Sequence, residues 1–207
     1  MNDNREKLVR FLRMLFGVQI IGVLLSALAL LATVVPFSVG AWYNWVQHAV
    51  RLGIAVCLFL LPGRYRYAGM AKALSLLCSL VSLVLFQLLD AYGIQLDGIS
   101  YGRTLAYLSW GASVLNYAAL CLEYTTHARI VPSESNKWYI LLCATLGISL
   151  VSTVALHLLQ PLVDQMVQNG SLWLMNSWNF VSRSVSLAFS VVYLVLLYQV
   201  VRAYEEA

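Results

Sequence analysis

Long apolar runs alternate with short polar breaks along the whole chain. Six runs come close to the roughly 20 residues a helix needs to cross a bilayer: 14–35, 41–61, 68–89, 104–122, 138–159 and 179–201. Breakers stand between them, at Pro36, Pro62-Gly63, Gly93 with Gly98, Pro132 and Pro161, each a place for a helix to stop or turn. The pattern predicts an all-α polytopic membrane bundle of six transmembrane helices, forming one integral membrane domain over 1–207. The last outer connection holds Leu162, Val163, Met166 and Val167 before Asn169-Gly170, which leaves room for a short interfacial helix there.

Composition points the same way. Hydrophobic residues make up 61% of the chain and charged ones 11%, against about a quarter charged in a soluble domain. The net charge of +4 is no nucleic-acid footprint, because the basic residues collect at helix ends. Arg5, Lys7, Arg10 and Arg13 precede the first run, Arg64, Arg66 and Lys72 follow the second, Arg129 and Lys137 follow the fourth, and Arg202 follows the sixth. The opposite connections hold Arg103 alone. The positive-inside rule then makes both termini cytoplasmic, in what reads as a bacterial cytoplasmic (inner) membrane. The first run is longer than a signal-peptide core and is expected to stay as the first helix. Cys57, Cys78, Cys121 and Cys143 lie inside apolar runs without metal or disulfide spacing, so they read as packing residues.

Polar residues inside the runs form stripes. Asn44, His48 and Arg51 are spaced i, i+4, i+7 on one helix face. The last run carries Asn176, Asn179, Arg183, Ser186 and Ser190, and the fifth carries Ser149, Thr153, His157 and Gln160 with Asp164 beyond. The third offers Ser75, Ser79 and Ser82 with Asp90 at its outer end, and the fourth Tyr107, Trp110, Ser113 and Asn116. Turned inward, these stripes would surround a vestibule open to the outer face.

The acids limit what that vestibule can hold. Glu123 and Glu134 fall at the inner boundary, Asp90, Asp97 and Asp164 at the outer one, and none at the depth of Arg51. An arginine at mid-bilayer costs about 2.5–3.5 kcal/mol on the insertion scale. Arg51 therefore needs water, backbone carbonyls, a reach to Asp90, or an anion, which a guanidinium grips with two parallel bonds. The bland alternative is a structural arginine between helices or subunits. Arg183 lies near enough to the outer surface to snorkel, and His127, in a cytoplasmic connection, reads as solvated.

The sequence-level expectation is a small anionic or amphiphilic ligand held in an outward-facing cavity by Asn44, His48, Arg51, His157, Asn179 and Arg183. Asp90 and Asp164 are candidate ion-pair partners. Such a chain would be a transporter or the substrate-binding subunit of one, working with membrane lipids and with other membrane or cytoplasmic subunits or copies of itself. A second reading is a sensor, assembly or effector subunit acting through protein contacts or an oligomeric pore. A third is an enzyme on lipid or isoprenoid phosphates. The motifs of phosphate loops, zinc proteases and serine hydrolases are absent. No metal site is expected. Haem ligated by His48 and His157 is the one cofactor the histidine placement raises, and two histidines among six helices also arise by chance.

Overall fold

Runs of apolar residues in lipid must satisfy their own backbone, and a helix does so within one segment. The computed structural model describes the backbone of residues 2–34, 42–91, 98–168 and 173–206. It describes side chains over 6–34, 42–85, 107–108, 110–151, 176–177, 180–181 and 183–206. These residues form six α-helices and no strand: α1 (Asn2–Val34), α2 (Trp42–Leu60), α3 (Arg64–Ala91), α4 (Gly98–Ile130), α5 (Ser135–Gln168) and α6 (Trp173–Glu206). Among the described residues, three stretches are long and apolar enough to cross a membrane: Glu6–Val34, Arg64–Leu85 and Arg183–Glu206.

Every helix except α2 runs past the span expected for it. At about 1.5 Å rise per residue, the 19 residues of α2 roughly match a bilayer core of about 30 Å. The 33 residues of α4 reach about 50 Å by the same rise. Arg64 and Arg66, expected in the connection between the second and third runs, are therefore on α3 together with Lys72, because that connection shrinks to a turn at 61–63. In that turn the Leu61 amide bonds the Leu58 carbonyl at 3.2 Å. Gly63 takes φ +70°, a left-handed conformation that glycine adopts without a Cβ penalty.

Two expectations fail at the end of α5. Pro161 does not stop the helix, which continues to Gln168. Membrane helices tolerate an interior proline because neighbours and local adjustment can compensate its missing N–H. The apolar residues beyond Pro161 accordingly extend α5, and no separate interfacial helix forms among the described residues. The breakers Pro36 and Gly93 and the Asn169-Gly170 pair lie outside them.

Among the described residues each helix packs on its neighbours in sequence, and α6 returns to α1, which closes a ring. Among these neighbouring pairs, contact between described residues is most extensive for α3 and α4 and least for α5 and α6. The perimeter is apolar: Leu24, Leu77, Val114, Ile140, Leu150 and Val195 are all more than half exposed. Water would not tolerate that on so many helices, whereas lipid does. The packed core sits at one end of the ring. It gathers Leu12 and Leu15 of α1, Leu58 of α2, Trp138 of α5, and Leu197 and Val200 of α6, all fully buried.

The α2–α3 hairpin closes on a glycine. A Cβ at Gly69 would collide with the Phe59 backbone amide and stand 2.7 Å from the Ala55 carbonyl oxygen. Small residues bring membrane helices together in this way. Gly69→Ala is expected to destabilise the detergent-purified protein by about 1–3 kcal/mol, the usual cost of overpacking. Gly147→Ala, where a Cβ meets nothing within 4 Å, should be neutral or slightly stabilising. Thermal melts of the two variants side by side test the contrast.

Candidate functional site

The packed end is built around one carboxylate. Glu123 and His127 stand i, i+4 on α4, and Tyr65 and Lys72 stand i, i+7 on α3, so each pair shares a helix face. The two helices run antiparallel and bring the faces together. Lys72 Nζ lies 2.8 Å from Glu123 Oε1, and the Tyr65 hydroxyl is 2.8 Å from His127 Nδ1. From α6, the Tyr193 hydroxyl donates to Glu123 Oε2 at 2.6 Å. Glu123 and His127 are both fully buried.

The turn after α4 completes the floor. The Val131 amide bonds the His127 carbonyl at 3.0 Å, and Pro132 opens the 3-10 turn Pro132–Glu134. Its fixed φ suits a first helical position. The chain reverses and lays Trp138, in the first turn of α5, on the His127 ring with centroids 4.5 Å apart and planes at 23°. Tyr124 and Tyr193 pack around the same indole. His127 is thus a core residue, contrary to its reading as solvated, and Glu123, placed by the sequence at the inner boundary, is a buried acid. His127 lies beyond the expected span 104–122, and burial, with the Lys72 ammonium second, lowers its pKa to about 3.

Next to the floor, serines and threonines stand among larger side chains and a cavity of about 830 Å³ remains, within the usual range for ligand sites. Lys72, Ser75, Ser79 and Ser82 line it from α3, Ser113 and Asn116 from α4, Thr145 and Ser149 from α5, and Ser186, Ser190 and Tyr193 from α6. Arg51 of α2 and Gln19 of α1 complete the polar lining. Several hydroxyl protons are already committed. Ser75 donates to the Ala112 carbonyl, Ser79 to Ser75, Thr145 to Leu141, and Ser190 to Ser186, at 2.6–3.1 Å. Each of these hydroxyls keeps lone pairs, so it faces the cavity as an acceptor.

The serines of the third-run stripe thus meet Ser186 and Ser190 of the sixth and Ser149 of the fifth, and Arg51 joins them. Asn176 and Arg183 are not in the lining, and Thr153 and Gln160 lie outside the residues whose side chains are described. Arg51 is the lining's unpaired cation. It has no hydrogen-bond or ion-pair partner among the described residues. α2 is continuous through it. Asn44 and His48 are not in the lining, and the imidazole Nδ1 of His48 bonds the Asn44 carbonyl of its own helix at 2.6 Å. Arg183 Nη1 donates to the Ala29 carbonyl at 2.5 Å and ties α6 to α1. The fourth-run stripe splits: Ser113 and Asn116 line the cavity, while Tyr107 and Trp110 are exposed elsewhere. Steps of three residues lag a 3.6-residue turn by about 60° each, so residues 107 and 116 lie on opposite faces. His157, Asn179, Asp90 and Asp164 are on α5, α6, α3 and α5, outside the residues whose side chains are described. Among the described residues no group of His, Cys, Asp and Glu gathers as a metal site.

A helical ring with an apolar perimeter, a polar interior and helices able to cross a bilayer has the make-up of an integral membrane protein. Comparison with family models, characterised proteins and solved structures gives no match.

Two outcomes follow from the floor. Lys72→Met strands a buried carboxylate and should cost about 3–5 kcal/mol, whereas the double variant Lys72→Met/Glu123→Met should recover most of that loss; denaturation in detergent measures both. His127 makes stability depend on pH. Below its ordinary pKa of 6.5 the unfolded chain takes a proton that the folded chain refuses until about pH 3. Stability present above pH 6.5 is therefore lost as pH falls, by up to about 1.4 kcal/mol per unit. His127→Gln should remove that slope between pH 6.5 and 5.

Proposed function

We propose that this chain spans the membrane six times, with both termini in the cytoplasm, and binds a small hydroxylated anion in its central cavity. It would serve as a transporter or as the substrate-binding subunit of one. The observation that carries this reading is Arg51: a guanidinium on the wall of an 830 Å³ cavity, with no partner among the described residues. An arginine cannot escape its cost by losing a proton, and it binds carboxylates in a bidentate fork.

The remaining lining narrows the ligand. Serine and threonine oxygens whose protons are spent on carbonyls favour a molecule that brings hydrogen-bond donors of its own. A carboxylate bearing hydroxyl groups meets both demands: its charge goes to Arg51 and its hydroxyls to the walls. Orientation rests on charge. Arg13, Arg64, Arg66, Lys137 and Arg202 belong to the packed end of the ring, and the positive-inside rule puts that end in the cytoplasm. The cavity then faces outward.

Detergent-purified protein should be stabilised by gluconate and by tartrate but not by equimolar chloride. At a hundredfold excess over Kd the gain would be about 2.7 kcal/mol, read as a rise in Tm. Arg51→Ala should melt near the unliganded wild type and lose the gain. If neither hydroxy acid stabilises the wild type, the ligand reading fails and a subunit acting through protein contacts takes its place.

A further inference from the structure

Cavity and floor meet at one side chain. Lys72 lines the cavity and is 15% exposed, while the carboxylate it pairs with is fully buried behind it. The two carboxylate oxygens are held unequally. Oε2 accepts the Tyr193 hydroxyl at 2.6 Å. Oε1 has the ammonium at 2.8 Å but no aligned hydrogen bond, and Lys72 is its one partner among the described residues. An anion in the cavity competes for the same ammonium, a point charge on a flexible stem. Should the ammonium turn to the anion, Oε1 is left bare in a buried site. A bare buried carboxylate takes a proton.

Charge sharpens the consequence. With the Lys72–Glu123 pair neutral as a unit, Arg51 leaves the cavity one positive charge. A monoanion on Arg51 balances it and leaves the pair intact. A dianion that reaches both cations overshoots by one negative charge. Resting on the anion-binding reading, we infer that Lys72 and Glu123 form a proton-coupling pair, so that a hydroxylated dianion is bound together with one proton. A hydronium ion supplies the proton: its O–H bond breaks as one forms at Glu123 Oε1, and a neutral water molecule is left behind. Tyr193 still donates to Oε2, so the protonated carboxyl loses nothing there.

The other groups around Glu123 do not substitute for it. Lys72 and Tyr65 face it from α3, Tyr193 from α6, and Tyr124 and His127 from α4 itself, while α5 contributes Trp138, which does not ionise. The tyrosines are already protonated. His127 faces Tyr65 and the indole instead of the cavity.

The test is calorimetric titration of the detergent-purified full chain with tartrate and with gluconate at pH 6, 7 and 8, both acids being fully ionised there. Buffers of different ionisation heat give the number of protons bound. Tartrate should bind wild type with uptake of about one proton, its affinity rising up to about tenfold per unit as pH falls. Gluconate should bind with no uptake and a flat profile. Glu123→Gln should bind tartrate without uptake at any pH. The double variant Lys72→Met/Glu123→Gln, which removes both charges, should also be flat should the single variant fold poorly. His127→Gln should keep the uptake. Tartrate binding to wild type without a proton, the same pH slope for gluconate, or uptake lost in His127→Gln and kept in Glu123→Gln each overturns the coupling and leaves the anion site standing. Binding of neither acid removes the anion site and the coupling with it.

Discussion

A carboxylate with no exposure, 2.8 Å from an ammonium and 2.6 Å from a phenol, constrains three helices at once. Glu123 is on α4, Lys72 on α3 and Tyr193 on α6, so satisfying one side chain fixes where these helices meet. Burying a charge is tolerable only when it is paired and hydrogen-bonded, which makes the arrangement hard to slide. Trp138 and His127 then fill the space beside it as a stacked pair. The packed end is the result of these demands. Beside it the serines of α3, α4, α5 and α6 fill less of the space between the helices, and the cavity lies there.

Much of this was legible in the order of residues, and the failures have physical causes. Six apolar runs gave six helices, because lipid leaves a chain with few alternatives to a helix. The serine rows at 75, 79 and 82 and at 186 and 190 marked faces that do converge. The floor was misread because a span-length view ends a helix where the hydrocarbon ends. Helices of 33 or 34 residues are longer than a bilayer core of about 30 Å requires, and past the apolar run they still pack on one another. Glu123 and His127 sit in that margin, and Lys72 in the first turns of its run, where a charged residue is ordinarily taken for a solvated anchor. A signal was present: Glu123 with His127, and Tyr65 with Lys72, each repeat on one helix face. Pairing those two faces across the α3–α4 hairpin needs register, which periodicity does not supply. Pro161 misled for the opposite reason, since a rule from soluble helices was applied inside a membrane one. Spacing alone was also too coarse for the fourth run, where steps of three carried Tyr107 away from Asn116.

The two cavity cations differ in kind, and the difference bears on what the interior can do. Arg51 is a permanent charge with no acid at its side among the described residues. Lys72 shares its charge with Glu123, and the pair can present itself to the cavity as neutral or, with a proton added, as a cation. A site made of two arginines would hold an anion tightly and let it go slowly; a site made of two ion pairs would have no reason to attract one. On the reading proposed above, one fixed charge would draw the anion in and one adjustable pair would set how strongly it is held. Because the adjustable pair lies against the packed end, whatever binds there also touches the Tyr193 contact that joins α6 to α4. On the anion-binding reading, occupancy of the cavity would therefore be felt where α6 meets α4 through Tyr193 and Glu123.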